Sequence, residues 1–204
     1  MNNWQTTYND GIEDELDDPP RRKPNGHHEP ELVKYHSRYM ADVKAEKIDW
    51  LWHQRIARGK LTLLGGHPGG GKSQLSILAA ARVTTGTDWP DGAHRPKASV
   101  VIVSCEDSAA DTIVPRLEAA GADKRLVHTL DWVEHEGKRR LFDIARDIPV
   151  LEAMVRKLGD VGLIIIDPIT AYLGKIDSYN NAEVRAGLAP LQDMAENSNA
   201  AYYG

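Results

Sequence analysis

Cysteine is nearly missing from this sequence. Cys105 stands alone, which excludes an internal disulfide and any metal site built from clustered cysteines. Long apolar runs are missing as well: stretches such as Val100 to Val103 and Leu163 to Ile166 stop after four residues, against the roughly 20 that a membrane-crossing helix needs. The start, Met1-Asn2-Asn3-Trp4, has neither the basic nor the apolar segment of a secretion signal, so a reducing cytoplasm is the expected compartment. A basic excess is also lacking. The net charge is −5; residues 1 to 30 hold seven acids and three bases, leaving 23 acids and 22 bases for the rest. A broad basic face for nucleic acid is thereby excluded, and any contact with DNA or RNA has to be made by local loops. No internal repeat is found.

What is present suits one domain with a tail: 204 residues, of which 41% are hydrophobic and 27% charged. Residues 1 to 30 carry the acidic run Glu13 to Asp18, four prolines, the basic triplet Arg21-Arg22-Lys23 and almost nothing apolar. They read as a disordered tail, and His27-His28 within it as solvated side chains. Residues 31 to 60 form a lead-in, with a helical spacing of Leu32, Tyr35, Tyr39 and Val43, then Trp50 and Trp52. Tryptophans two apart point the same way in an extended segment. They are expected to cover the edge of the core, with stacking on a nucleotide base as the alternative.

From residue 61 to 204 apolar runs alternate with helical stretches. The patterns predict strands at Leu61 to Leu64, Ser99 to Ser104, Leu126 to Leu130 and Leu163 to Ile166. Helices are predicted at about Lys72 to Thr85, Ser108 to Ala120, Pro149 to Leu158 and Ala182 to Glu196. Ser108-x-x-Asp111 reads as a capping box, Gly121 as a stop, Glu136-Gly137 as a polar turn and Pro190 as a kink. Strands apolar on both faces and interleaved with helices imply an α/β fold, a mostly parallel sheet covered by helices on both sides.

The segment Gly66-His67-Pro68-Gly69-Gly70-Gly71-Lys72-Ser73, followed by Gln74, matches G-x-x-x-x-G-K-[ST] between a strand and a helix. Glycines allow successive backbone N–H groups to turn toward one anion, and the helix adds its positive N-terminus. Lys72 can reach the β- and γ-phosphates of ATP, and the Ser73 hydroxyl is a hard ligand suited to Mg²⁺. Such a loop needs a second acid for the metal, and Asp167 supplies it after four apolar residues. Hydrolysis needs a carboxylate that orients water; Glu106, after the run Val100 to Val103, is the choice. Its neighbour Asp107 reads as a supporting or helix-start residue, and Cys105 as a small strand residue.

These residues, with Arg55 to Leu64 before the loop, Trp89-Pro90-Asp91-Gly92, Arg116-Leu117, and Ile166-Asp167-Pro168-Ile169-Thr170-Ala171-Tyr172-Leu173, resemble the RecA-like AAA-type ATPase domain. That domain occurs in plasmid RepA-type hexameric helicases and in phage or plasmid primase-helicase proteins. The resemblance spans about residues 48 to 204. It implies a homo-oligomeric ring hydrolysing ATP with Mg²⁺ at subunit interfaces: Lys72 and Ser73 on phosphate and metal, Asp167 on the metal, and Glu106 as catalytic glutamate. It further implies single-stranded DNA as partner, with Lys175 or Tyr179 in the 174 to 181 connection as possible contacts. In this family a further strand carries a polar phosphate sensor and later strands a trans-acting arginine. Here the sequence enters that strand at Ala200 to Tyr203 and ends at Gly204, so a truncated motor, with a gap in the sheet between the loop strand and the metal strand, is expected. A nucleotide-binding adaptor that does not hydrolyse ATP, and a P-loop kinase, remain as rivals.

Overall fold

The computed structural model describes residues 37–176 and 180–204. The chain divides into two units, Met1–Ala45 and Glu46–Gly204. The acidic tail, the histidine pair, Leu32, Tyr35 and Tyr179 lie outside the described residues. Of the first unit, residues 37–45 form only a 3-10 turn at Met40–Asp42 that buries nothing. The helix expected over the Tyr39 and Val43 spacing does not form there, and Tyr39 and Val43 are exposed. A short stretch that buries no apolar side chain does not repay the cost of helix nucleation.

The second unit runs β1 (Trp50–Trp52), β2 (Ile56–Ala57), β3 (Leu61–Thr62), α1 (Lys72–Thr85), β4 (Ser99–Ser104), α2 (Val114–Ala119), β5 (Val127–Thr129), β6 (Val133–His135), β7 (Lys138–Arg140), α3 (Ile144–Leu158), β8 (Val161–Asp167), α4 (Asn181–Glu196) and β9 (Ala201–Tyr203). Five strands make one sheet in the order β3-β9-β8-β4-β5, every pair parallel. No helix among the described residues is long and apolar enough to cross a membrane.

Side-chain alternation on the central strands explains the two layers. Val100, Ile102, Leu163, Ile165, Ala201 and Tyr203 face a core shared with Ile77, Ala80 and Val83 of α1 and Leu117 of α2. Val101, Val103, Ile164, Ile166 and Tyr202 face the other core, shared with Ile144 and Leu151 of α3 and Leu188, Leu191 and Met194 of α4. Both faces are apolar because both are covered, as parallel sheets require. Trp52 joins the first core, stacked on Trp89 with ring centroids 5.0 Å apart. The tryptophan pair thus serves packing at the core edge, with Trp50 half-buried.

Several expectations are corrected. The sheet has no gap between the loop strand and the metal strand: Tyr202 pairs with Leu61 on one side and Ile164 on the other. Three residues suffice because β3 is itself only two residues long, and Gly204 continues the ladder by donating to the Thr62 carbonyl and accepting from Leu64 N–H. The helix expected from Ser108 opens instead as a π-turn, Ala109–Ile113, and the Ser108 side chain caps nothing. Pro115 is the cause: it has no N–H for the Asp111 carbonyl and its ring crowds that carbonyl, so the chain takes a wider turn first. Helix α3 starts five residues before Pro149, because Asp143 caps it by accepting from Ala145 N–H at 3.0 Å. Glu136-Gly137 closes an antiparallel hairpin, β6–β7, with both residues left-handed (φ 51° and 74°) as a two-residue turn demands. The hairpin is fastened to α3 by Arg140, whose guanidinium grips both carboxylate oxygens of buried Asp147.

Two consequences can be measured. At Gly162 on β8 an added Cβ would stand 2.8 Å from Ala98 Cβ and 3.3 Å from Val83 Cγ1. Gly162→Ala is therefore expected to cost about 1–3 kcal/mol in urea unfolding; an unchanged midpoint would refute the close fit. The hydrogen bonds from Arg140 hold the Asp147 carboxyl below the usual carboxylate range, against the opposing effect of burial. That stabilisation is present above the unfolded carboxylate pKa and is lost as pH falls below about 4 toward the lowered folded value. Asp147→Asn should lower the thermal midpoint at pH 7 and flatten its fall on acidification; parallel pH curves for the two proteins would refute the assignment.

Candidate active site

Strand β3 delivers the chain to the 63–71 loop, and α1 begins immediately after it. Gly69 and Gly71 take φ of 76° and 84°, the left-handed region where a Cβ is disfavoured. At Gly70 an added Cβ would meet the His67 carbonyl oxygen at 3.1 Å, and Gly70 N–H donates to that same oxygen at 3.2 Å. The loop is thereby folded over the first turn of α1, whose N–H groups have no acceptor within the helix. The Lys72 ammonium donates to the Gly66 carbonyl at 2.8 Å and the His67 carbonyl at 3.0 Å, leaving one of its three N–H groups uncommitted.

The acids arrive from the neighbouring strands. Ser104 and Asp167 are register partners at the carboxyl ends of β4 and β8, so the residues that follow Ser104 and the carboxylate of Asp167 emerge at one level of the sheet. Glu106 is exposed and lines a cleft with Gly69, Gly71, Lys72, Ser73 and Gln74. Asp167 lines a small recess with Ser73 and Ser76 and, on another side, a hollow with Gly66 and Lys72. Lys72, Ser73, Gln74, Glu106, Asp167 and the loop glycines are therefore brought together. His67 and Pro68 are exposed on the loop, and of these His67 contributes its carbonyl. Lys175 is exposed on the connection after β8.

Sequence reasoning gave no chemical role to two residues that line the site. Arg116 on α2 reaches back to Asp107 at 2.8 Å and borders both the cleft and the recess. The signal was the nine-residue spacing from Asp107 to a cation on the following helix. Tyr203 ends β9 at the hollow; burial, with the Asp167 charge adding to it, pushes its hydroxyl up to about 12. Across the sheet, burial likewise raises the Tyr172 hydroxyl, reinforced by nearby Cys105, Glu106 and Asp167. Both phenols are thus protonated donors at neutral pH.

Among the described residues no cluster of three or more His, Cys, Asp or Glu could hold a metal ion. One hydroxyl, Ser73, and one carboxylate, Asp167, border the same recess. That pair suits Mg²⁺, which keeps several waters and takes its other ligands from substrate phosphates.

The comparisons with known proteins agree with this arrangement. No curated protein matches the chain. A family model described as an AAA domain matches residues 31–203, which includes the loop, both acid-bearing strands and β9. With a parallel five-stranded sheet of RecA-like P-loop type and this match over most of its length, the chain belongs to the AAA domain family of ATPases.

Proposed function

We propose that residues 46–204 bind Mg·ATP and hydrolyse it as the motor domain of a DNA helicase or DNA-dependent ATPase of plasmid or phage type. The observation that carries the nucleotide reading is the convergence of Lys72, Ser73, Glu106 and Asp167 at one end of one sheet. The loop N–H groups and the N-terminus of α1 receive the phosphate oxygens. Lys72 turns its ammonium from the two loop carbonyls to the β- and γ-phosphates. Ser73 and Asp167 hold Mg²⁺, which supplies charge neutralisation at the transferring phosphoryl group. Glu106, exposed at the mouth of the cleft, orients the attacking water and takes up its proton. Asp107 and Arg116 hold each other beside that position.

The helicase part of the reading is supported by the motif resemblance. On this reading the chain works in a homo-oligomeric ring in the cytoplasm, and single-stranded DNA is contacted through the connection that carries Lys175. The near-neutral charge of the body suits a contact made by a short loop.

Lys72→Ala should abolish binding of a fluorescent ATP analogue. Glu106→Gln should retain that binding and lower steady-state turnover by about 100-fold or more; equal loss of binding in both variants would sink the site assignment. Single-stranded DNA should stimulate phosphate release. Turnover that ignores DNA but requires a small phosphoryl acceptor would identify a kinase instead, and binding with no turnover an adaptor.

A further inference from the structure

Glu106 stands on a short bridge between two fixed points. On one side Ser104 is held in the sheet by its register with Asp167. On the other, the Asp107 carboxylate accepts from Arg116 Nη1 at 2.8 Å, and the carbonyl of the next residue, Ser108, accepts from the Thr112 and Ile113 N–H groups, each at 3.1 Å. Cys105 and Glu106 span the interval in a bend that belongs to neither strand nor helix. No side-chain hydrogen bond or ion pair of Glu106 itself is found among the described residues. The backbone from which it projects therefore decides where its carboxylate can go. Arg116 owes its place to the turn before it: the π-turn Ala109–Ile113 brings the chain round so that the third residue of α2 reaches back nine positions, and such turns recur at functional sites. The pair lines the recess with Ser73 and Asp167 and the cleft with Lys72 and Glu106. Its side chains are 35% and 33% exposed, and an ion pair as open as this adds little to stability.

We propose that Arg116 is a positioning residue for Glu106: its charge-assisted bond to Asp107 fixes the 105–107 bend, and the bend sets where the Glu106 carboxylate meets the attacking water. The inference rests on the reading of Glu106 as the acid that orients that water. Arg116 acts through Asp107 and does not touch the nucleotide. A lysine in its place keeps the ion pair with Asp107 and loses only the planar fork. An alanine leaves the bend tied at the Ser108 carbonyl alone, with the Asp107 side chain free to swing.

The test is a cycle of Arg116→Ala, Asp107→Ala and the double variant, with Arg116→Lys and Glu106→Gln beside it, read as kcat for ATP and, separately, as affinity for a fluorescent ATP analogue. Each alanine variant is expected to lower kcat by about 10- to 100-fold, the scale of a misplaced reacting group, with analogue affinity unchanged. The double variant should fall no further than the singles, because one link is lost in all three, and Arg116→Lys should recover most of the rate. Weaker analogue binding in Arg116→Ala but not in Asp107→Ala would make Arg116 a phosphate ligand and overturn the proposal. Losses that multiply in the double variant would overturn it too, since the two residues would then act independently. If Glu106→Gln stops turnover and Arg116→Ala leaves kcat at the wild-type value, the positioning role fails and the reading of Glu106 stands. If Glu106→Gln turns over like the wild type, or the wild type does not turn over, that reading fails and takes this inference with it. The thermal midpoint of Arg116→Ala should stay near that of the wild type; a large drop accompanied by lost analogue binding would show a pair that serves the fold alone.

Discussion

Everything chemical in this molecule depends on β4 and β8 running parallel and in step. From Val100 opposite Leu163 to Ser104 opposite Asp167, the two strands advance together. Parallel ladders hold such a register only when both faces are buried, since a slip of one residue would exchange the side chains delivered to the two cores. Here both cores are apolar, yet they are not equivalent. One takes Ile77, Ala79, Ala80 and Val83 of α1, Leu117 of α2 and the Trp52–Trp89 stack, and the other takes residues of α3 and α4 such as Leu151, Leu188 and Met194. A slip would exchange these two sets of neighbours, and the register fixes the level at which the residues after Ser104, and Asp167 itself, leave the sheet.

Much of this was legible in the sequence. Helix α1 and strand β4 occupy the residues their patterns predict, because each is specified locally: glycines before the helix and Gly86 after it, and a pure apolar run for the strand. The phosphate loop was legible for the same reason, since glycine spacing and lysine position are properties of one continuous segment. What escaped was decided by partners distant in the chain. Two-residue β3 and three-residue β9 are strands only because they pair with each other and with β8. The early start of α3 depends on a capping aspartate that propensity places in a loop. Arg116 carries no motif of its own, and its pairing with Asp107 is visible only once α2 folds back toward the end of β4.

The site also shows how charge is distributed when no basic face is available. Two cations, Lys72 and Arg116, stand among three acids, Glu106, Asp107 and Asp167. Arg116 is already matched by Asp107, so the local balance is set by Lys72 against two unmatched carboxylates. A polyphosphate arriving alone would meet net repulsion from those acids, and one arriving with a divalent cation would not. This charge balance supports the proposed uptake of nucleotide as its metal complex.

The double tether of Lys72 has a consequence for selectivity. Its ammonium is held by two backbone carbonyls, at 2.8 and 3.0 Å, so a ligand does not gain a free cation; it must outbid two neutral acceptors for one already engaged. Singly charged or neutral oxygens offer little beyond what the carbonyls give. The terminal oxygens of a di- or triphosphate, carrying several charges and also engaging the loop N–H groups, win that exchange. If the loop takes up nucleotide as proposed, the resting lysine sets a threshold that favours densely charged phosphate chains over simple anions.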